Sequence, residues 1–424
     1  MTESLLALRA LLAATDPAEA RAEVDGLLAS PLFAKAEAAL AADHDRLVED
    51  IIRLTQIPSP PFGESVRAAA YAELLRQHGL RDVATDAEGN VTGLRPGSDP
   101  TAGLVVLCSH LDTVFPAGTD VTVKREGTIL RAPGVGDDTR GLAVLLALVR
   151  ALDTAGARTR AGILILASVG EEGAGDLRGV KAFFRDSPLR PQVSAFIAMD
   201  GINPARLVHG AVGSKRLRIT FRGPGGHSYG AFGLVNPGFA LGQVAHALGQ
   251  IRVPAQPKTT FSIGRIGGGT SINAIPEEMW MEVDLRSESA EALASLEAEF
   301  LSLLPEAVEA ENATRSNSRG ALRVEVTQIG DRPAGTTPAE SRLARVATAA
   351  IAARGYTPVA EASSTDSNIP ISLGVPAITL GTGGTGGREH SLEEWIDVEA
   401  TASVHGIATA LASILTVAGV EQRN

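Results

Sequence analysis

Histidines and acidic residues gather in five short stretches of this 424-residue chain. They are "SHLDTVFP" (His110, Asp112), "GVGDDTRG" (Asp137, Asp138), "ASVGEEGAGDL" (Glu171, Glu172), "AMDG" (Asp200) and "REHSLEEW" (His390). The adjacent glutamates are the most demanding feature, because neighbouring carboxylates repel each other and are costly to desolvate. Cations relieve both penalties. Mixed histidine and carboxylate ligation is typical of zinc, cobalt or manganese, and a shared carboxylate is the usual way to hold two such ions ~3.5–4 Å apart. Taken singly, each residue has a plainer reading as a helix cap, a solvated loop acid or a packed histidine. That plainer reading weakens if all of the stretches are delivered to one place.

The elements that would deliver them are legible as apolar runs. "GLVVLCSH" (103–110), "AGILILAS" (161–168), "AFIAMDG" (195–201) and "VPAITLG" (375–381) read as buried strands, and "RGLAVLLALVRALDTAG" (140–156) as a helix. Strand–helix alternation of this kind predicts an α/β fold with a doubly wound, mostly parallel sheet. In such sheets ligands bind beyond the carboxyl ends of the strands, which is where the candidate residues fall. Residues 1 to about 55 alternate Leu and Ala with charged residues at helical spacing, so a helical extension of about 1–45 is expected to pack on the main body.

From about 214 the texture changes. "KRLRITFRG", "TTFSIGRIGGG", "EEMWMEVDLRS" and "ALRVEVTQI" alternate as half-exposed strands, and "NPGFALGQVAHALGQI" and "EALASLEAEFLSLL" are helical. Strand–helix–strand–strand–helix–strand is the split βαβ arrangement, an α+β ferredoxin-like insert over 214–330. The α/β domain that carries the candidate residues is then 1–213 plus 331–424.

Net charge is −11 with no basic stripe, which argues against nucleic acid or an anionic membrane as partner. The single cysteine, Cys108, excludes an intrachain disulfide and fits a reducing compartment. Cys108 lies in an apolar strand, where small-residue packing is its expected role. The start lacks the pattern of a signal peptide, and no run near 18 apolar residues is evident, so a soluble, cytoplasmic protein is expected.

The stretches above, joined in order by "GPGGHS" and "NAIPEE…DLR", make a set that resembles the two-metal exopeptidases and deacylases grouped around peptidase T, carboxypeptidase G, succinyl-diaminopimelate desuccinylase and aminoacylase. The resemblance runs from about residue 45 to 415. It implies two divalent metal ions per subunit, zinc first and cobalt or manganese next. His110 and Asp200 would hold one, Glu172 and His390 the other, and Asp137 would bridge both. Asp112 would orient the His110 imidazole by hydrogen bonding, and Glu171 would be the general base. A cis Asp137–Asp138 peptide bond is also implied.

In the insert the resemblance implies that His227 stabilises an oxyanion, often from the partner subunit of a homodimer formed through this lid. Asn273 and Arg286 would bind the substrate's carboxylate, Arg286 through its planar fork. A surface ion pair is the plainer reading of Arg286. Gly384, in the glycine run "GTGGTGG", could offer backbone N–H groups to an anionic substrate end, or belong to a simple connector. The remaining histidines, His44, His78, His209, His246 and His405, are assigned no role. Thr139 and Arg140 stand where many relatives carry a lysine. The expected function is a metal-dependent exopeptidase acting on short peptides. An N-acyl-amino acid deacylase is the alternative within the class, and a non-catalytic metal-binding homologue the alternative outside it.

Overall fold

The computed structural model describes residues 10–421; the expectations for residues 1–9 lie outside the described residues. Two compact units divide the chain, one made of 1–211 with 336–424 and the other of 212–335, a few residues wider than the insert expected from sequence.

The first unit is built on a mixed sheet. In spatial order it contains Arg81–Thr85, Val91–Arg95, Gly162–Ser168, Leu104–His110, Val193–Met199, Ala377–Leu380 and Arg206–Ala211, with Val359–Ser363 paired to the last of these. The central run from Gly162–Ser168 to Ala377–Leu380 is parallel, and antiparallel strands flank it. Every residue of the three longest parallel strands is buried, because helices cover both faces. Alternation along one strand feeds two cores. Val105 and Leu107 pack with the helices Thr139–Ala155 and Ala400–Ala418, whereas Leu104, Val106 and Cys108 pack with Arg178–Asp186.

The N-terminal helices Pro17–Leu28, Pro31–Ala42 and His44–Thr55 belong to the first of these cores through Val24, Phe33, Leu40, Leu47 and Ile51. Asp16 and Ser30 cap the first two by accepting N–H bonds from Ala18 and Phe33, and proline occupies the first helical position after each. The helix Ala400–Ala418 corrects one expectation. By length and composition it could cross a membrane. Here Val404, Ile407, Leu411 and Leu415 are buried in the core of the unit, so the helix is apolar because both of its sides are packed.

The second unit is a four-stranded antiparallel sheet in the order Thr259–Gly268, Glu278–Ser287, Gly213–Arg222, Arg323–Arg332. Two helices, Pro237–Leu248 and Ala290–Thr314, cover one face over Leu217, Ile219, Phe221, Met281, Val283 and Leu285. The other face carries charge pairs such as Arg218–Glu282, with the Arg218 guanidinium 3.8 Å above the Trp280 ring. The second helix runs through Pro305 to Thr314, well past the expected end at Leu304. Its extra turns bury Ala307 and bring the Glu311 carboxylate to the N–H of Asn236 (2.9 Å), and this packing outweighs the proline's lost hydrogen bond.

A small antiparallel sheet in the first unit bears directly on the site. It joins Thr385–Gly387, Trp395–Asp397, Ile129–Arg131 and Lys124–Glu126. His390 sits in the turn between the first two strands, and Ile129–Arg131 leads into the loop that carries Asp137.

Candidate metal centre

His110 is the last residue of its strand, Asp200 follows Met199, and Glu171 and Glu172 leave the Gly162–Ser168 strand three residues later. Asp137 precedes the helix Thr139–Ala155 across a cis Asp137–Asp138 bond, the geometry expected from sequence. His390 has a left-handed backbone, φ +62°.

These side chains converge on Asp137. Its Oδ1 lies 2.9 Å from His110 Nε2 and its Oδ2 2.8 Å from His390 Nε2, so each oxygen faces a different histidine. Glu172 Oε1 is 2.9 Å from His390 Nε2. Three triads have donor atoms all within 4.8 Å of one another: His110–Asp137–Asp200, Asp137–Glu172–His390 and His110–Glu171–Glu172. Asp137 is common to the first two. A cluster of carboxylates with two imidazoles, sharing one carboxylate between triads, fits a pair of divalent cations.

Asp112 orients the His110 imidazole by hydrogen bonding, as expected, and it also holds the glutamate pair. The His110 ring is oriented by the main-chain carbonyl of Asp112, which accepts from Nδ1 at 3.0 Å and leaves Nε2 facing Asp137. The Asp112 carboxylate, its Oδ1 3.7 Å from His110 Nδ1, also accepts the backbone N–H of Glu171 (3.0 Å) and of Glu172 (2.8 Å). The carboxylate is fully buried, below the point where the two glutamates leave the strand. Asp112 therefore anchors the glutamate pair.

Behind the ligands lies a buried polar frame. Ser109 Oγ–H and the His110 N–H donate to Asp138 Oδ2 at 2.5 and 3.1 Å, and burial pushes the Asp138 carboxyl well up. Arg67, fully buried, donates to the carbonyls of Leu111 (2.8 Å) and Ile57 (2.7 Å) and so braces the loop after His110. Cys108 is buried as expected, yet its Sγ lies 3.4 Å from the Asp366 carboxylate, so its packing role is partly polar. Sequence reading missed Asp366, and it missed Glu394. The Glu394 carboxylate accepts the N–H groups of Gly134, Gly136 and Asp137 at 2.8, 2.7 and 2.9 Å. A signal was available, since Glu394 stands four residues after His390 in "REHSLEEW".

Charge in the cluster is balanced by protons when no cation is bound. Hydrogen bonds to Asp137 and then Glu172 push His390 up to about 11. Burial, reinforced by Asp137, pushes Asp200 up to about 7. Burial alone would raise Asp137, but the bonds from His110 and His390 bring it below the usual carboxylate range. Ligation needs neutral imidazole and ionised carboxylate, so the protons must leave as cations enter. Titrating zinc into chelator-stripped protein in weak buffer is expected to acidify the solution, and affinity should rise between about pH 6 and 8. Affinity that is flat across this range would count against ligation by both Asp200 and His390.

Gly384 adopts φ +93°, and a Cβ there would lie 2.9 Å from Arg140 Nη2. Thr385–Gly387 is paired with Trp395–Asp397. Packing thus accounts for glycine at 384. Arg140 is buried, with Nη2 donating to Ser403 Oγ at 2.9 Å.

In the second unit His227 and Asn273 are neighbours. Gly226–His227 pairs with Ala274–Ile275, and the Ser228 N–H donates to the Asn273 carbonyl at 2.9 Å. The N–H groups of Tyr229 and Gly230 both donate to His227 Nδ1 at 3.2 Å, which places the proton of the neutral ring on Nε2. Arg286 is elsewhere. It lies opposite Ser214, whereas Glu278, at the end of the sheet nearest the His227 loop, lies opposite Arg222. The separation is roughly 26 Å at the usual strand rise. Arg286 Nε donates to Asp284 at 2.7 Å, the ion pair of the plainer reading.

Known proteins agree with this architecture. A "probable carboxypeptidase" of Aspergillus flavus is 31% identical over 203 residues, which are 43% of this chain and 46% of that protein. The match thus spans about half the length of that curated relative. The aminopeptidase PepT of Bacillus cereus superposes with a TM-score of 0.71 at 22% identity, covering 89% of this chain and 99% of the other. The YXEP protein of Bacillus subtilis, described as a dinuclear metal-binding peptidase, gives 0.63 at 18% identity over 88% of this chain and 98% of its own. Residues 106–415 match the family described as Peptidase family M20/M25/M40, so the chain belongs to that family.

Proposed function

We propose that this protein is an exopeptidase that hydrolyses an amide bond of short peptides with two divalent cations, zinc first, held by His110, Asp137, Glu172, Asp200 and His390. The observation that carries the reading is Asp137, whose two oxygens face separate histidines beside a buried glutamate pair. The family and the names of the relatives, a carboxypeptidase and an aminopeptidase, support the choice of a terminal amide bond. Cations bound there would supply the positive charge that polarises an amide carbonyl and acidifies water.

The remaining steps belong to the chain. Glu171 takes a proton from the attacking water and passes it to the leaving amine. Asp112 fixes the glutamate pair for this task through two backbone hydrogen bonds. His227 donates from Nε2 to the developing oxyanion, and Asn273 and Arg286 bind the substrate's free carboxylate. Because His227 and Asn273 lie at the opposite end of one sheet from Arg286, all three can serve a single small substrate only if they come from two copies of the chain. A homodimer follows from this reading.

A panel of dipeptides, tripeptides and N-acetyl amino acids, assayed with zinc, cobalt or manganese, tests the activity. Cleavage of the acetylated amino acids alone would replace the exopeptidase by a deacylase, and no hydrolysis of any substrate would remove both. A mixing experiment tests the dimer. Glu171→Gln and His227→Ala are each expected to be inactive, and unfolding and refolding them together should restore about a quarter of parental activity in a two-fold assembly. A mixture as inactive as its components would place His227 in its own chain's site, and an active His227→Ala would place it outside the chemistry.

A further inference from the structure

We infer that Glu394 is a positioning residue that sets Asp137 against His390, and so fixes the geometry of the metal centre. The inference rests on the metal reading above. Glu394 is fully buried, and its carboxylate accepts three N–H groups, from Gly134 on Oε2 and from Gly136 and Asp137 on Oε1. Its main-chain carbonyl accepts a further N–H from Ala132 (3.2 Å). One residue therefore grips most of the loop that ends at Asp137.

The same residue closes the turn that carries His390. The Glu394 N–H donates to the Ser391 carbonyl and the Ser391 N–H to the Arg388 carbonyl, both at 3.1 Å. The flanking strand Trp395–Asp397 pairs with Ile129–Arg131 just before the Asp137 loop. Loop and turn thus form one hydrogen-bonded body, and the 2.8 Å approach of Asp137 Oδ2 to His390 Nε2 is a property of that body. The loop is moulded on the carboxylate, since a Cβ at Gly136 would stand 3.1 Å from Glu394 Oε1.

A carboxylate suits this position because it only accepts, and every partner donates. In Glu394→Gln an amide NH2 must face a backbone N–H, donor against donor. In Glu394→Asp the charge stays but the carboxylate is withdrawn by one methylene. Both variants should shift the ligands without touching them.

The test compares parent, Glu394→Gln and Glu394→Asp after removal of metal by chelator and reloading with cobalt. Each variant is expected to hold cobalt roughly ten- to a hundredfold more weakly in competition with a chelator. Each should also show an altered cobalt absorption spectrum and a lower kcat, with KM near the parental value. Unchanged cobalt affinity and spectrum in both variants, even with a lower melting temperature, would make Glu394 a structural residue only and overturn the inference. A parent protein that takes up no cobalt would remove the metal reading itself. Should Glu394→Gln fail to fold, Glu394→Asp carries the same comparison.

Discussion

Replacing Glu171 by Gln is expected to lower kcat roughly a hundred- to ten-thousand-fold, the usual worth of a positioned general acid–base, while metal content stays at the parental level. The side chain is buried and shares a donor triad with His110 and Glu172. Its backbone N–H is fixed by Asp112. Glutamine preserves the volume and one acceptor oxygen but cannot take up a proton at neutral pH. Substrate affinity should therefore change little, and the loss should appear in kcat. Metal analysis and kinetics on one preparation check this. A variant within tenfold of the parent would move the base to another residue, and a variant depleted of metal would make Glu171 a ligand.

Asp137→Asn is expected to abolish measurable turnover by a different route, the loss of bound cation. Asp137 is common to two of the donor triads, and both histidines point their Nε2 atoms at its carboxylate. The amide leaves one oxygen where there were two and removes the charge that balances both sites. Metal content after dialysis should fall by at least one ion relative to the parent. A full complement of metal with parental activity would show that Asp137 bridges nothing. The two variants thus predict opposite patterns: inactive with metal for Glu171→Gln, inactive without it for Asp137→Asn.

Legibility in the sequence followed how local each signal was. The strands ending at His110, Ser168 and Met199 stood out because both of their faces are buried and the apolar run is unbroken. The convergence of His110, Glu172 and Asp200 was legible because one topological rule places strand ends together, whereas Asp137 and His390 come in on a loop before a helix and on the turn of a separate small sheet. The insert's topology could be read from its alternation, and the structure gives it the expected antiparallel sheet. Hydrogen bonds between a side chain and distant backbone were not legible. Glu394 reaches N–H groups at Gly134 to Asp137 across some 260 positions, and its partners carry no side-chain signature. Asp112 was legible as the partner of His110, but spacing could not say that its carboxylate also accepts the N–H groups of Glu171 and Glu172. The two ends of the insert's sheet were invisible for a similar reason, because register decides that Arg286 lies far from His227.

The strand order also has a consequence for how the molecule is made. Ala377–Leu380 lies between Val193–Met199 and Arg206–Ala211, although it is synthesised long after both. A nascent chain emerging from the ribosome cannot close this sheet until the whole insert, residues 212–335, has been translated. Until then the Val193–Met199 strand offers an unpaired edge, the kind of surface that invites misassociation. Among the clustered residues His390 is made after the others. The cluster of candidate ligands is therefore completed only once residue 390 has been made, and a truncated product ending before residue 377 would have neither a closed sheet nor the whole cluster.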